Sequence, residues 1–315
     1  MNRLHTLLAP LWLVSRPLVV VGLGALALLL ACSLGLMLDH RTITGMPAWD
    51  KPFKFAVSST LYCLTLVWML GLVQGRAIRL ARLAANLTAL GFVVELVVIV
   101  VQVLRGTTSH FNLGTPLDAA LYSSMGGFVL VIWLMNLLTA VLLAFQPLQN
   151  RALALSVRLA LALTLLGGSV GALMTLPTAA QTQGLGKAAP TVIGAHTVGA
   201  PDGGPGLPFL GWSTVHGDLR VAHFAGLHAL QVMPLVYLLL RRRRAWTRGQ
   251  RLGLIWTAAG AYLGLIGLLL WQALRGQSVV APDGPTLLAL GLLLLLSGLS
   301  AALVGRRRVR ALVTG

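Results

Sequence analysis

Residues 221–244 read VAHFAGLHALQVMPLVYLLLRRRR, an uninterrupted stretch without charge that ends in four arginines. A helix rising about 1.5 Å per residue needs roughly 20 apolar residues to cross a hydrocarbon core about 30 Å thick. Val221 to Leu240 therefore predicts a membrane-spanning helix, and Arg241 to Arg244 its anchor at one membrane surface. Seven further runs have the same character. Together the spans fall at about 18–38, 53–74, 84–104, 121–142, 153–175, 221–240, 252–272 and 285–304.

The composition agrees with this reading. Only 10% of the 315 residues are charged, against about a quarter in soluble domains, and the mean hydropathy is +0.85. A β-barrel would show alternating segments of about ten residues instead of continuous apolar runs. The expected fold is all-α, a polytopic transmembrane bundle of eight spans.

With loops assigned alternately to the two sides, the basic residues collect on one of them. Arg3 and Arg16 precede span 1, and Arg76, Arg79 and Arg82 follow span 2. Arg151 and Arg158 open span 5, while Arg241–Arg244, Arg248 and Arg251 join spans 6 and 7. Arg306, Arg307, Arg308 and Arg310 follow span 8. Acidic residues lie on the other side, except Glu95, which is inside span 3. The positive-inside rule then places both termini and the Arg clusters in the cytoplasm of a bacterial-type plasma (inner) membrane, the clusters facing anionic lipid. The net charge of +17 is spread over separate loops, so nucleic acid is not the expected partner. Residues 6–15, with Trp12, are too short to cross and are expected at the inner interface. Cys32 and Cys63 fall within spans and are expected as buried thiols.

Gln102-Val-Leu-Arg105-Gly106 at the end of span 3 matches Gln272-Ala-Leu-Arg275-Gly276 at the end of span 7, and Pro116 and Pro285 follow at nearly the same offset. This pattern suggests two parallel four-helix repeats, 1–150 and 151–315, the second including the long outer loop 176–220. The second half has no acid at the position matching Asp118, and Leu265 stands where the first half has Glu95.

Chemistry is expected on the acid-bearing side, in an outward-facing pocket rich in His and Asp. His223, His228, His216 and His110 are the candidate ligands for haem or a transition metal, since neutral imidazole binds such centres. His223 and His228 are five residues apart, about 140° around a helix, so they should point to different neighbours. Asp118, Asp218, Arg105, Arg220 and Asn112 supply further polar groups, with Asp118 suited to the first turn of span 4. Glu95 and His228 lie at similar depth, and with Gln231 they are the candidate proton relay, since ionisable groups inside spans usually face the bundle interior.

Eight spans, inner termini, two four-helix halves and Arg41-Thr42-Ile43-Thr44-Gly45 resemble the haem A synthase architecture. That resemblance implies haem-binding His in both halves, whereas spans 2, 4 and 8 contain none, so the activity is not carried over. Three functions stand open on the residues alone. They are haem or metal binding for redox or cofactor chemistry, proton-coupled transport of a small solute through Glu95 and His228, and a non-catalytic role in membrane assembly.

Overall fold

The computed structural model describes residues 11–184, 190–243 and 245–313, with side chains described as far as Arg306. Arg3, residues 6–10, Arg244 and the side chains of Arg307, Arg308 and Arg310 lie outside the described residues. Eight helices are long and apolar enough to cross a membrane, which makes this a helical, membrane-embedded, multi-pass protein. They are α1 Arg16–Leu38, α2 Asp50–Leu70, α3 Ile78–Leu104, α4 Pro116–Phe145, α5 Arg151–Met174, α6 Leu219–Arg242, α7 Arg248–Leu274 and α8 Gly284–Val313. A short helix, Ala179–Gly184, lies between α5 and α6.

The helix ends follow from local chemistry. Ser15 accepts a hydrogen bond from the Leu18 N–H ahead of Pro17, and Thr115 accepts from Asp118 N–H ahead of Pro116. In each case a hydroxyl satisfies a first-turn donor and proline occupies a position whose N–H needs no partner. Thr247 and Gln250 form a reciprocal capping box on α7. Between α1 and α2 the chain makes a hairpin, β1 Thr42–Ile43 with β2 Met46–Pro47. Its two turn residues, Thr44 and Gly45, both have positive φ, the mirror-image turn that suits a two-residue connection.

By its internal contacts the chain divides into two compact units. The first comprises Met1–Gln146, Ala172–His196 and Ala200–Gly211, and the second Pro147–Gly171, Thr197–Gly199 and Trp212–Gly315. In the 176–220 connection, backbone hydrogen bonds run from Leu113 N to Thr191 O (2.8 Å) and from Ile193 N to Phe111 O (3.1 Å), within the first unit. The connection's strand β3 Thr197–Val198 pairs with β4 Gly217–Asp218 in the second.

Within the second unit, α5 and α6 approach at Gly167 and Gly226 so closely that a Cβ on either would stand 2.2–2.3 Å from the other's Cα. Small residues at such a crossing let backbones touch, which is how helices associate when lipid is as apolar as leucine. Around it, the Ser156 hydroxyl donates to Met233 O (2.8 Å) and the Tyr262 hydroxyl of α7 donates to Ala225 O (2.6 Å). Gly167-Gly168 leaves α5 unbroken, as Gly126-Gly127 leaves α4.

Candidate functional site

The first unit contains a polar file along the buried face of α3. Thr88, Glu95 and Gln102 recur every seven residues, two helical turns, so they share one face. All three are buried, Glu95 at 3% exposure. Gln102 is fully engaged: its amide donates to the Asp118 carboxylate (2.8 Å) and its carbonyl accepts from Arg105 (2.6 Å). Glu95 is the opposite case. Both carboxyl oxygens are buried and neither has a hydrogen-bond partner among the described residues, and the same holds for Thr88 Oγ1 and for Asn136 Oδ1 on the neighbouring α4. Orphaned polar atoms are rare in folded proteins because each forfeits its water without compensation. Glu95 is nine residues from the Leu104 end of α3, about 14 Å along the helix, and Val94 and Val98 flank it in an apolar cluster with Ile99 and Met125.

At the Leu104 end, the loop curls back so that Arg105 bridges α3 to α4. Its guanidinium donates to Asp118 (2.6 Å), which also accepts from the Thr115 hydroxyl (2.6 Å). Asn112 is buried, donating to Thr107 Oγ1 and Thr108 O and accepting from Gly114 N. The second unit repeats this construction around Gln272. Gln102 and Gln272 donate to the carbonyls of Thr108 and Ser278, and their own carbonyls accept from Thr107 N and Gln277 N. Gly106 and Gly276 both stand at φ 71°. The sequence offers no match to Asp118 here, yet Arg275 finds an acid just before α8: it pairs with Asp283, which accepts from Thr286 N as Thr115 accepts from Asp118 N in the first unit. These hydrogen bonds, from Arg275 first and then Thr286, hold the Asp283 carboxyl below the usual carboxylate range.

The two Arg pairs differ in burial, and that decides what they contribute. Asp118 is 6% exposed, whereas Asp283 is 33% exposed. Arg105→Ala is expected to destabilise by about 1–3 kcal/mol because a buried carboxylate loses a charged donor, and Arg275→Ala by less than about 1 kcal/mol because water replaces the guanidinium. Thermal unfolding of the two variants in detergent checks this order.

The histidines have separate neighbours. His223 Nδ1 lies 2.8 Å from Gly167 O and must donate, since a carbonyl only accepts. The neutral ring then carries its lone pair on Nε2. His228 Nδ1 faces Gln231 Oε1 at 3.3 Å, and its ring packs on Phe224 with centroids 4.2 Å apart. His110 Nδ1 contacts Ser109 Oγ (3.1 Å), with its ring edge-on to Phe55. His216 caps a turn through its backbone N–H on Ser213 Oγ. Asp218, 1% exposed, accepts from Ser213 N and from Arg220, whose side chain it binds at 2.6 Å, and so caps α6.

One pair not singled out from the sequence is His196 with Asp202. Asp202 accepts from both the His196 backbone N–H (3.0 Å) and its Nδ1 (2.6 Å), and the imidazole stands edge-on to the buried Phe111, centroids 4.9 Å apart. A carboxylate so placed fixes the orientation of the imidazole through Nδ1. The six-residue spacing in a Gly- and Pro-rich loop has no periodic signature to reveal it. Nearer α1, Asp39 is held below the ordinary carboxylate range by hydrogen bonds from Arg41 and Trp49. Among the described residues no three or more His, Cys, Asp or Glu side chains gather to hold a metal ion.

Comparison with protein-family models, with curated proteins and with solved structures finds no match.

Proposed function

We propose that this is a proton-coupled membrane protein in which Glu95 takes up and releases a proton during a cycle that moves a small solute. The observation that carries the reading is the Glu95 carboxyl, buried at mid-helix with neither oxygen hydrogen-bonded among the described residues. Intramembrane carboxyls are costly and are kept where they serve ion or proton pathways. Thr88 extends the polar file beyond Glu95 on the same face of α3, and the Gln102, Arg105 and Asp118 network begins it at the other end. His228, with Gln231, is the partner titrating group in the second unit. The Arg-rich connections lie on the cytoplasmic side of a bacterial-type plasma membrane, which puts the Gln102 end outward.

The test is proton movement into proteoliposomes carrying an internal pH-sensitive dye under an imposed membrane potential. Wild-type protein is expected to carry protons and Glu95→Gln to fall to the level of empty vesicles. Equal dye responses from wild type and Glu95→Gln would contradict the reading.

A second reading, haem or transition-metal binding on the acid-bearing side, is favoured by a specific feature. His196 and His223 each hold an acceptor on Nδ1, Asp202 and Gly167 O, the kind of outer hydrogen bond that orients a metal-ligating imidazole. A visible absorption band that is lost on His196→Ala or His223→Ala would support it, and a colourless, metal-free, folded protein would end it.

A further inference from the structure

We infer that the groove between the starts of α1 and α3 binds the phosphate of an anionic membrane lipid. It is a cavity of about 270 Å³ in the first unit, larger than the ~150 Å³ cavity that can hold a benzene. Its polar lining is Ser15, Arg16, Arg82 and Asn86, and its apolar lining includes Trp12, Leu13 and Pro17. Arg82 and Asn86 are four residues apart on α3 and so lie on one face. Neither the Arg16 nor the Arg82 guanidinium makes a hydrogen bond or an ion pair with any described residue. Among the described residues no acidic side chain lines the cavity.

Two guanidiniums without a counter-charge around one cavity form a site for an oxyanion. Arginine's planar fork matches phosphate oxygens, and the amide of Asn86 adds a donor. The apolar lining decides between a soluble phosphate and a lipid. Trp12 and Leu13 are exposed, Leu13 at 78%, where the chain enters α1, the level at which aromatic residues meet headgroups. A ligand with both a phosphodiester and an acyl-glycerol body satisfies both parts of the lining, and inorganic phosphate satisfies only one. The site is separate from the α3 polar file and does not depend on proton coupling.

Native mass spectrometry of the full-length protein in detergent, titrated with dioleoyl phosphatidylglycerol or with dioleoyl phosphatidylcholine, tests the inference. Wild type is expected to retain phosphatidylglycerol in preference to phosphatidylcholine. Arg16→Gln with Arg82→Gln is expected to weaken that retention about 30-fold. Arg76→Gln with Arg79→Gln removes the same charge outside the cavity and is expected to leave it unchanged. Equal retention of the two lipids would overturn the site, as would equal weakening by both double variants. Displacement of phosphatidylglycerol by an equal concentration of inorganic phosphate would overturn the assignment to a lipid.

Discussion

Glu95→Leu is expected to yield a more stable protein that no longer carries protons. The wild-type carboxyl is buried next to Val94 and Val98, and among the described residues neither oxygen has a hydrogen-bond partner. Relieving one unsatisfied buried polar group is expected to gain about 1–3 kcal/mol, and leucine adds apolar contact with the same cluster. Few substitutions of a native residue raise stability, and a position that does so while losing activity is one retained for function. Thermal unfolding in detergent gives the first half of the expectation and the vesicle dye assay the second. A loss of stability of more than about 1 kcal/mol would instead make Glu95 a structural group holding α3 in place.

Gly226→Val is expected to be the most damaging single change in the second unit. A Cβ at residue 226 would lie 2.2 Å from Gly167 Cα, and a backbone atom cannot rotate away as a side chain can. The two helices must separate, which also breaks the His223 to Gly167 hydrogen bond and the Ser156 to Met233 bond. The expected cost is about 3 kcal/mol or more, seen as loss of monodisperse protein or a large fall in unfolding temperature. Gly126→Ala and Gly127→Ala serve as controls, since a Cβ at either meets nothing within 4 Å; they should be neutral or slightly stabilising through helix propensity.

Much of the fold was legible in the sequence because a bilayer imposes two demands that leave marks in any chain. A crossing helix must be long and apolar, and Val221–Leu240 shows both properties without reference to any other part of the chain. Glu95 was legible for the same reason, as a charge where none is expected. What stayed hidden depends on how separate segments meet. The Gly167–Gly226 contact needs the facing of two helices, and nothing in the sequence marks either glycine off from Gly126, where an added Cβ would meet nothing within 4 Å. Asp283 replaces Asp118 as the arginine partner because acid and threonine exchange places, Thr115 and Asp118 in one half against Asp283 and Thr286 in the other, so matching residue types position by position misses it. His196 and Asp202 come together through a loop containing positive-φ glycines at 199 and 203, a geometry with no repeating pattern. The Gln102 and Gln272 motif was legible as a pattern, and its chemistry, each Gln bonding the carbonyl six residues on, emerged only from the coordinates.

Infrared difference spectroscopy of the reconstituted protein, as pH is swept from acid to alkaline, reads proton exchange at the Glu95 carboxyl directly from the carboxylic C=O stretch. Wild type is expected to show a band that is present at acid pH, is lost on the way to alkaline pH and is missing from Glu95→Gln. Identical difference spectra from the two proteins would contradict it.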